Sequence, residues 1–69
     1  MVNTRIRALR EEKQMSQFEL AIRIGVQQPA VYKWEKGMNW PRIPEAIKMA
    51  DVFGCSLDYL LCRDTSSGA

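Results

Sequence analysis

The feature that most constrains the fold of this chain is a short helix whose start and end are both marked in the sequence. In the segment S-Q-F-E (16–19), the hydroxyl of Ser16 can accept from the backbone N–H of Glu19, whose carboxylate can accept from the N–H of Ser16. Gly25 ends the helix, because glycine adopts the left-handed conformation without a steric penalty. The pattern therefore predicts a helix over Gln17 to about Ile24 that buries Leu20, Ala21 and Ile24.

Helical spacing of apolar residues continues along the chain, and no strand-like alternation bounded by turns occurs. A first helix is expected from about Thr4 to Gln14, capped by Asn3 or Thr4. A third helix is expected to end at Gly37, and a fourth to run from about Pro44 to Phe53. Gly54 is expected to end the fourth helix, and Ser56 to cap a short fifth one.

The apolar positions of these helices predict one core. Its expected members outside the second helix are Ile6, Leu9, Val31, Trp34, Ala46, Ile47, Met49, Ala50, Phe53, Leu57, Leu60 and Leu61. A chain of 69 residues forms a single domain near the lower size limit for an unaided core. The prediction is an all-α domain over residues 1–63, followed by a small polar tail over 64–69 that is expected to be disordered.

Composition excludes several classes of function. The chain has no histidine, so a zinc site of cysteine and histidine ligands is not expected. Cys55 and Cys62 lie about 10 Å apart on a helix, too far for a disulfide, and are interpreted as small buried hydrophobes. No apolar run approaches the roughly 18 residues of a membrane span, and no signal peptide is evident, so a cytoplasmic location is expected. Without histidine and with scattered carboxylates, no catalytic centre and no cofactor are predicted.

The charge is unevenly distributed along the chain. Residues 1–42 carry eight Lys or Arg against four Glu, whereas residues 43–69 carry two basic residues against four acidic ones. The N-terminal part is therefore the side that can meet a polyanion, although scattered surface charge gives the same asymmetry.

Three motifs together resemble the phage-repressor family of helix-turn-helix proteins, also called XRE-like or Cro-type. They read S-Q-x-E-L-A (16–21), W-E-x-G-x-x-x-P (34–41) and A-x-x-F-G-C-S-L-D-Y-L-L (50–61). The resemblance covers about residues 5–61 and implies a compact, five-helix, lambda-repressor-like domain. Its second and third helices would form the helix-turn-helix, with the third, about residues 27–36, in the DNA major groove.

The resemblance also suggests DNA contacts at the starts of the second and third helices. Gln17 corresponds to a family position that holds a phosphate, although an exposed helix start is the alternative. Gln27 and Gln28 begin the recognition helix, where a glutamine amide can pair with adenine N6 and N7. For Gln27, capping the helix or touching a phosphate is an equally good interpretation.

Further candidates lie along the outward face of the third helix and in the loop after it. Lys33 can bind guanine O6 and N7 or a phosphate, and Tyr32 can reach a phosphate or a thymine methyl group. A solvated helix face is the alternative for both residues. Lys36 and Arg42 are expected to contact phosphates.

The residues Gln27-Gln28-Pro29 leave two possible starts for the third helix. Local chemistry favours Gln28 as N-cap and Pro29 as first helical residue, because the residue before proline disfavours helical dihedrals. The family register begins the helix one residue earlier, with Pro29 at the second position, and we favour that register.

Arg10 and Glu35 are expected to form a structural salt bridge. Glu35 falls at the edge of the buried face of the third helix, where an unpaired charge is unfavourable. Family members that carry this pair join it between helices one and three. The pair would orient the recognition helix without touching bases.

The expected function is sequence-specific binding of double-stranded DNA by a transcriptional regulator, most simply a repressor. The resemblance implies a homodimer on a palindromic operator, with Leu57, Tyr59 and Arg63 as candidate dimer contacts. No small-molecule ligand or membrane partner is indicated. The apolar pair Phe18 and Ile22 is interpreted either as an oligomer contact or as an unusual surface patch. One alternative function is an antitoxin that binds its operator and a toxin, with this pair facing the toxin. Another is a protein-interaction module that has lost DNA binding.

Overall fold

The computed structural model describes residues 4–63, and within them the chain forms five helices and no strand. The helices are α1 (Ile6–Glu12), α2 (Gln17–Ile24), α3 (Gln28–Glu35), α4 (Ile43–Phe53) and α5 (Leu57–Leu60). None of these helices is long and apolar enough to cross a membrane. The all-α, five-helix prediction is confirmed. Asn3 and the tail over 64–69 lie outside the described residues.

Helix α2 has the boundaries that its end signals predict. The backbone N–H of Glu19 donates to Ser16 Oγ at 3.0 Å, and the N–H of Ser16 donates to Glu19 Oε1 at 2.9 Å, so the capping box is complete. Gly25 follows in the left-handed region with φ +78°. Leu20, Ala21 and Ile24 are buried as expected. Local signals therefore fix both ends of this helix.

Helix α1 is shorter than the predicted Thr4–Gln14. Its N-cap position is Arg5, which makes no side-chain capping bond, whereas Thr4 Oγ1 accepts from the backbone N–H of Ile6 at 3.4 Å. Gln14 has φ +58°, outside the helical region, and the helix ends before it. The guanidinium of Arg10 donates to the backbone oxygen of Met15 at 2.8 Å. This contact spans five residues across the turn that follows α1.

Helix α3 begins in the family register. Gln27 is its N-cap, with extended dihedrals of −81° and 148°, and Gln28 is the first helical residue. Pro29 therefore occupies the second position, where the missing N–H has no intrahelical acceptor in any case. The local preference of the residue before proline is overridden here.

Helix α4 begins at Ile43 and ends at Gly54, which has φ +69°. Its core face comprises Ala46, Met49, Ala50 and Phe53. Ile47 was expected in that face, but it is 47% exposed. It lies about 100° around the helix from Ala46, on a flank that no other described helix covers.

One core joins all five helices. Its thirteen buried apolar residues are Ile6, Leu9, Leu20, Ala21, Ile24, Val31, Trp34, Ala46, Met49, Ala50, Phe53, Leu60 and Leu61. Ser56 caps α5 by accepting from the N–H of Tyr59 at 3.0 Å, as predicted. Cys55 and Cys62 are only partly buried.

Replacing Gly25 by alanine should lower the free energy of unfolding by about 1–2 kcal/mol, the penalty for a Cβ atom in the left-handed region. A Cβ atom at this position would have no heavy atom within 4 Å, so steric overlap adds nothing. Urea denaturation monitored by circular dichroism measures the change. Gly25→Asn is the control, because asparagine tolerates this conformation and should be less destabilising. Equal losses for both variants would contradict this origin of the effect.

Candidate nucleic-acid interface

Helices α2 and α3 pack against each other across the turn at Gly25. Ala21 on α2 is 1% exposed and Val31 on α3 is fully buried, so the two helices meet through these side chains. The backbone N–H of Val26 donates to the Ala21 carbonyl at 2.9 Å and closes the end of α2. This arrangement is a helix-turn-helix, with a small residue at the contact and glycine in the turn.

The outward face of α3 is polar and exposed. Gln27 is exposed and occupies the N-cap position of α3, although its side chain makes no capping bond. Tyr32 is 45% exposed, and Lys33 beside it is exposed. Lys36 Nζ lies 5.6 Å from the centre of the Tyr32 ring, within the range of a cation–π contact. These side chains are free to meet an anionic surface.

Arg10 and Glu35 form an ion pair beneath this face. Arg10 Nε lies 2.6 Å from Glu35 Oε2, and Arg10 Nη2 lies 3.1 Å from Glu35 Oε1. Their side chains are 12% and 4% exposed, so the pair is largely shielded from water. The hydrogen bond to Glu35 raises the pKa of Arg10, with desolvation opposing it. The pair holds α3 against α1 by two parallel hydrogen bonds.

Two glutamines extend this ion pair to the start of α3. Gln17 Nε2 donates to Glu35 Oε1 at 2.9 Å, and Gln28 Nε2 donates to Gln17 Oε1 at 2.7 Å. We refer to the series Arg10–Glu35–Gln17–Gln28 as the relay. It links three helices and connects the predicted salt bridge to a predicted phosphate contact and a predicted base contact.

The donors and acceptors of the relay can be assigned in only one way. A guanidinium can only donate and a carboxylate can only accept, so Gln17 must present its NH₂ group to Glu35. The oxygen of Gln17 is then left to accept, and Gln28 must donate to it. The amide of Gln28 is thereby oriented, and it retains its oxygen and one N–H for other partners. Adenine offers a matching donor at N6 and acceptor at N7 in the major groove.

The loop between α3 and α4 borders the same region. Arg42 is the N-cap of α4 and is exposed, with no side-chain capping bond. Trp40 is 52% exposed and lies with Trp34 at an open cavity of about 260 Å³. Trp34 is in the core as expected, whereas Trp40 covers the core only in part.

The contacts of Gln17 were not predicted from the sequence. Gln17 is 18 residues from Glu35 and 11 from Gln28, so its position between them depends on how α2 crosses α3. The only indication in the sequence was that Gln17 occupies the first position of α2. Among residues 4–63, no group of three or more acidic or cysteine side chains is placed to hold a metal ion.

The fold and this polar face define a helix-turn-helix domain. A family model described as helix-turn-helix matches residues 6–60. The chain belongs to this family, and its relatives place it among the phage-repressor type.

Two relatives and one solved structure illustrate the similarity. The chain is 32% identical over 66 residues to the repressor protein C2 of Salmonella phage P22, covering 96% of this chain and 31% of that protein. It is 35% identical over 63 residues to an uncharacterised HTH-type transcriptional regulator of Archaeoglobus fulgidus, covering 91% and 89%. The crystal structure of the P22 c2 repressor with a synthetic operator superposes with TM-score 0.79 at 33% identity, covering 83% and 86%.

The chain matches only part of several relatives. It spans 21%, 31% and 53% of the length of three curated relatives, among them the P22 repressor. The shared region is thus the helix-turn-helix unit.

Proposed function

We propose that this chain is a sequence-specific, double-stranded-DNA-binding transcriptional regulator that acts as a repressor. The relay is the observation that carries the proposal. It orients the amide of Gln28 at the start of an exposed polar helix and does so through a shielded ion pair. A glutamine amide that is held in one orientation can distinguish one base from another by its hydrogen bonds. The structural similarity to a repressor in complex with its operator supports the same function.

The exposed residues have distinct roles in this proposal. Gln28 reads a base through its free oxygen and N–H, with Lys33 and Gln27 reading neighbouring positions. Tyr32 contacts a thymine methyl group or a phosphate. Gln17 lies at the first position of α2, where backbone N–H groups favour an anion, and binds a phosphate there.

Two cations lie on either side of the loop after α3 and bind phosphates in this proposal. Lys36 directly follows α3, and Arg42 directly precedes α4. Both are exposed, so their contacts would fix the domain on the DNA backbone without selecting a sequence.

The DNA-bound form is proposed to be a homodimer on a palindromic operator. Its half-sites would lie about 34 Å apart, one turn of DNA. Leu57, Tyr59 and Arg63 are the proposed dimer contacts, and Tyr59 is 40% exposed. The chain acts by binding and not by catalysis, and we place it in the cytoplasm.

Selection of bound sequences from a random pool of duplex DNA tests this function. We expect enrichment of a palindromic consensus, because two copies related by a twofold axis read the same sequence on opposite strands. Affinity for the consensus should fall as salt rises, with a log–log slope of about −0.9 for each phosphate neutralised. A scrambled duplex of equal length is the control. Absence of any enriched sequence, or affinity independent of salt, would contradict the proposed function.

A further inference from the structure

The outward side of α2 carries an apolar pair that the proposed function does not use. Phe18 and Ile22 are 62% and 63% exposed. They lie four residues apart on one side of the helix, about 6 Å along its axis. Exposed phenylalanine and isoleucine adjoining each other are unfavourable in water, so a partner that covers them is expected to be favourable.

A charged pair runs parallel to the apolar pair. Glu19 and Arg23 are exposed and each follows one of the apolar residues, about 100° farther around the helix. Glu19 Oε1 accepts from the N–H of Ser16, which leaves its second oxygen available. Arg23 makes no ion pair or side-chain hydrogen bond with any residue in the range 4–63. We name Phe18, Glu19, Ile22 and Arg23 together the α2 face.

The α2 face is complementary to itself. A twofold axis perpendicular to α2 would set two copies of the helix antiparallel, with Phe18 of one copy against Ile22 of the other. The same rotation keeps both charged pairs on one side and brings each Glu19 beside the Arg23 of the other copy. Such a contact is isologous, since one surface supplies both halves.

We propose that the α2 face binds the α2 face of a second copy of this chain. The contact goes beyond the proposed function, because it needs no DNA. It is also separate from the relay, since Gln17 lies about 100° around α2 from Phe18 and its amide is bound to Glu35 and Gln28 of α3. Self-association therefore leaves the polar face of α3 uncovered.

The size of the α2 face sets the strength of the contact. Four side chains on one short helix bury far less than the roughly 800 Å² per partner of a stable interface. The contact should therefore be weak in dilute solution. It becomes effective when DNA holds copies near each other, where effective concentrations reach about the millimolar range.

Chemical-shift dilution of the free protein tests the proposal without DNA. Between about 1 mM and about 50 μM, shifts that depend on concentration are expected at residues 18–23 of α2. Ile22→Gln should weaken the association about tenfold or more, by removing one apolar contact at each half of the twofold pair. Ile47→Gln is the matched control, because Ile47 is another exposed isoleucine on a helix, and it should leave the association unchanged.

The charged pair is tested separately with Glu19→Gln. Glutamine serves equally well in a capping box, so α2 should keep its start while the interfacial charge is lost. Association is expected to weaken severalfold and to lose its salt dependence. The proposal is overturned if no shift depends on concentration, if Ile22→Gln and Ile47→Gln act alike, or if the shifts map to α5 and not to α2. Binding of a different protein at Phe18 and Ile22, without self-association, would also overturn it.

Discussion

Replacing Arg10 by methionine is expected to lower the free energy of unfolding by about 3–5 kcal/mol, because it leaves a shielded carboxylate without its guanidinium. The side chain of Glu35 is only 4% exposed in the intact pair, so its carboxylate is poorly solvated. The variant also loses the hydrogen bond from Arg10 to the Met15 backbone oxygen. Urea denaturation of both proteins at neutral pH measures the difference.

A neighbouring pair provides the control. Arg7 and Glu11 also form an ion pair, at 3.1 Å, but their side chains are 66% and 55% exposed. Arg7→Met should therefore change stability by less than about 1 kcal/mol. The double variant Arg10→Met/Glu35→Gln should be more stable than Arg10→Met alone, since it buries no unpaired charge. Similar losses for Arg7→Met and Arg10→Met would show that shielding from water is not the cause.

Replacing Gln28 by alanine is expected to remove the preference at one base pair of each half-site, with a loss of about 1–3 kcal/mol for the best sequence. The variant should bind sequences altered at that base pair as well as it binds the consensus. Binding to a panel of duplexes with single base-pair changes measures this effect. The loss is expected only for the consensus, because the amide contacts a base edge in the proposed complex.

Lys36→Ala serves as the comparison. It should weaken binding to all sequences alike and reduce the salt slope by about one per copy, as the loss of a phosphate contact does. Circular dichroism should show that both variants stay folded, since neither residue is in the core. A uniform loss for Gln28→Ala across the panel would reassign Gln28 to a phosphate or to the fold itself.

Several predicted features of the fold that the structure confirms depend on neighbours in sequence. The capping box at Ser16, the left-handed glycines at 25 and 54, and the cap at Ser56 each involve residues within a few positions. Ile47 was misassigned because helical spacing cannot tell which flank another helix will cover. The end of α1 was misassigned because Gln14 adopts the left-handed conformation, with φ +58°, and helical spacing does not reveal that.

The site likewise contains one contact that was predicted and two that were not. The pairing of Arg10 with Glu35 was expected from the family, and the structure forms it. The continuation through Gln17 to Gln28 was not expected, because no motif in the sequence indicates that these side chains meet. Sequence alone placed Gln17 and Gln28 as separate DNA contacts. Only the crossing of α2 and α3 shows that one glutamine orients the other.

Pro29 has a consequence for how this chain would find one site in a genome. It occupies an exposed position of α3 but carries no polar side-chain atom, so it offers a base only apolar contact. In the proposed complex, Gln27, Gln28 and Lys33 then supply the hydrogen bonds to bases, and a twofold pair specifies about six base pairs. Six base pairs recur by chance about once in four thousand positions, or about a thousand times in a genome of several million. Chance matches would therefore far outnumber true operators, and the choice among them would depend on DNA deformability and on neighbouring bound copies.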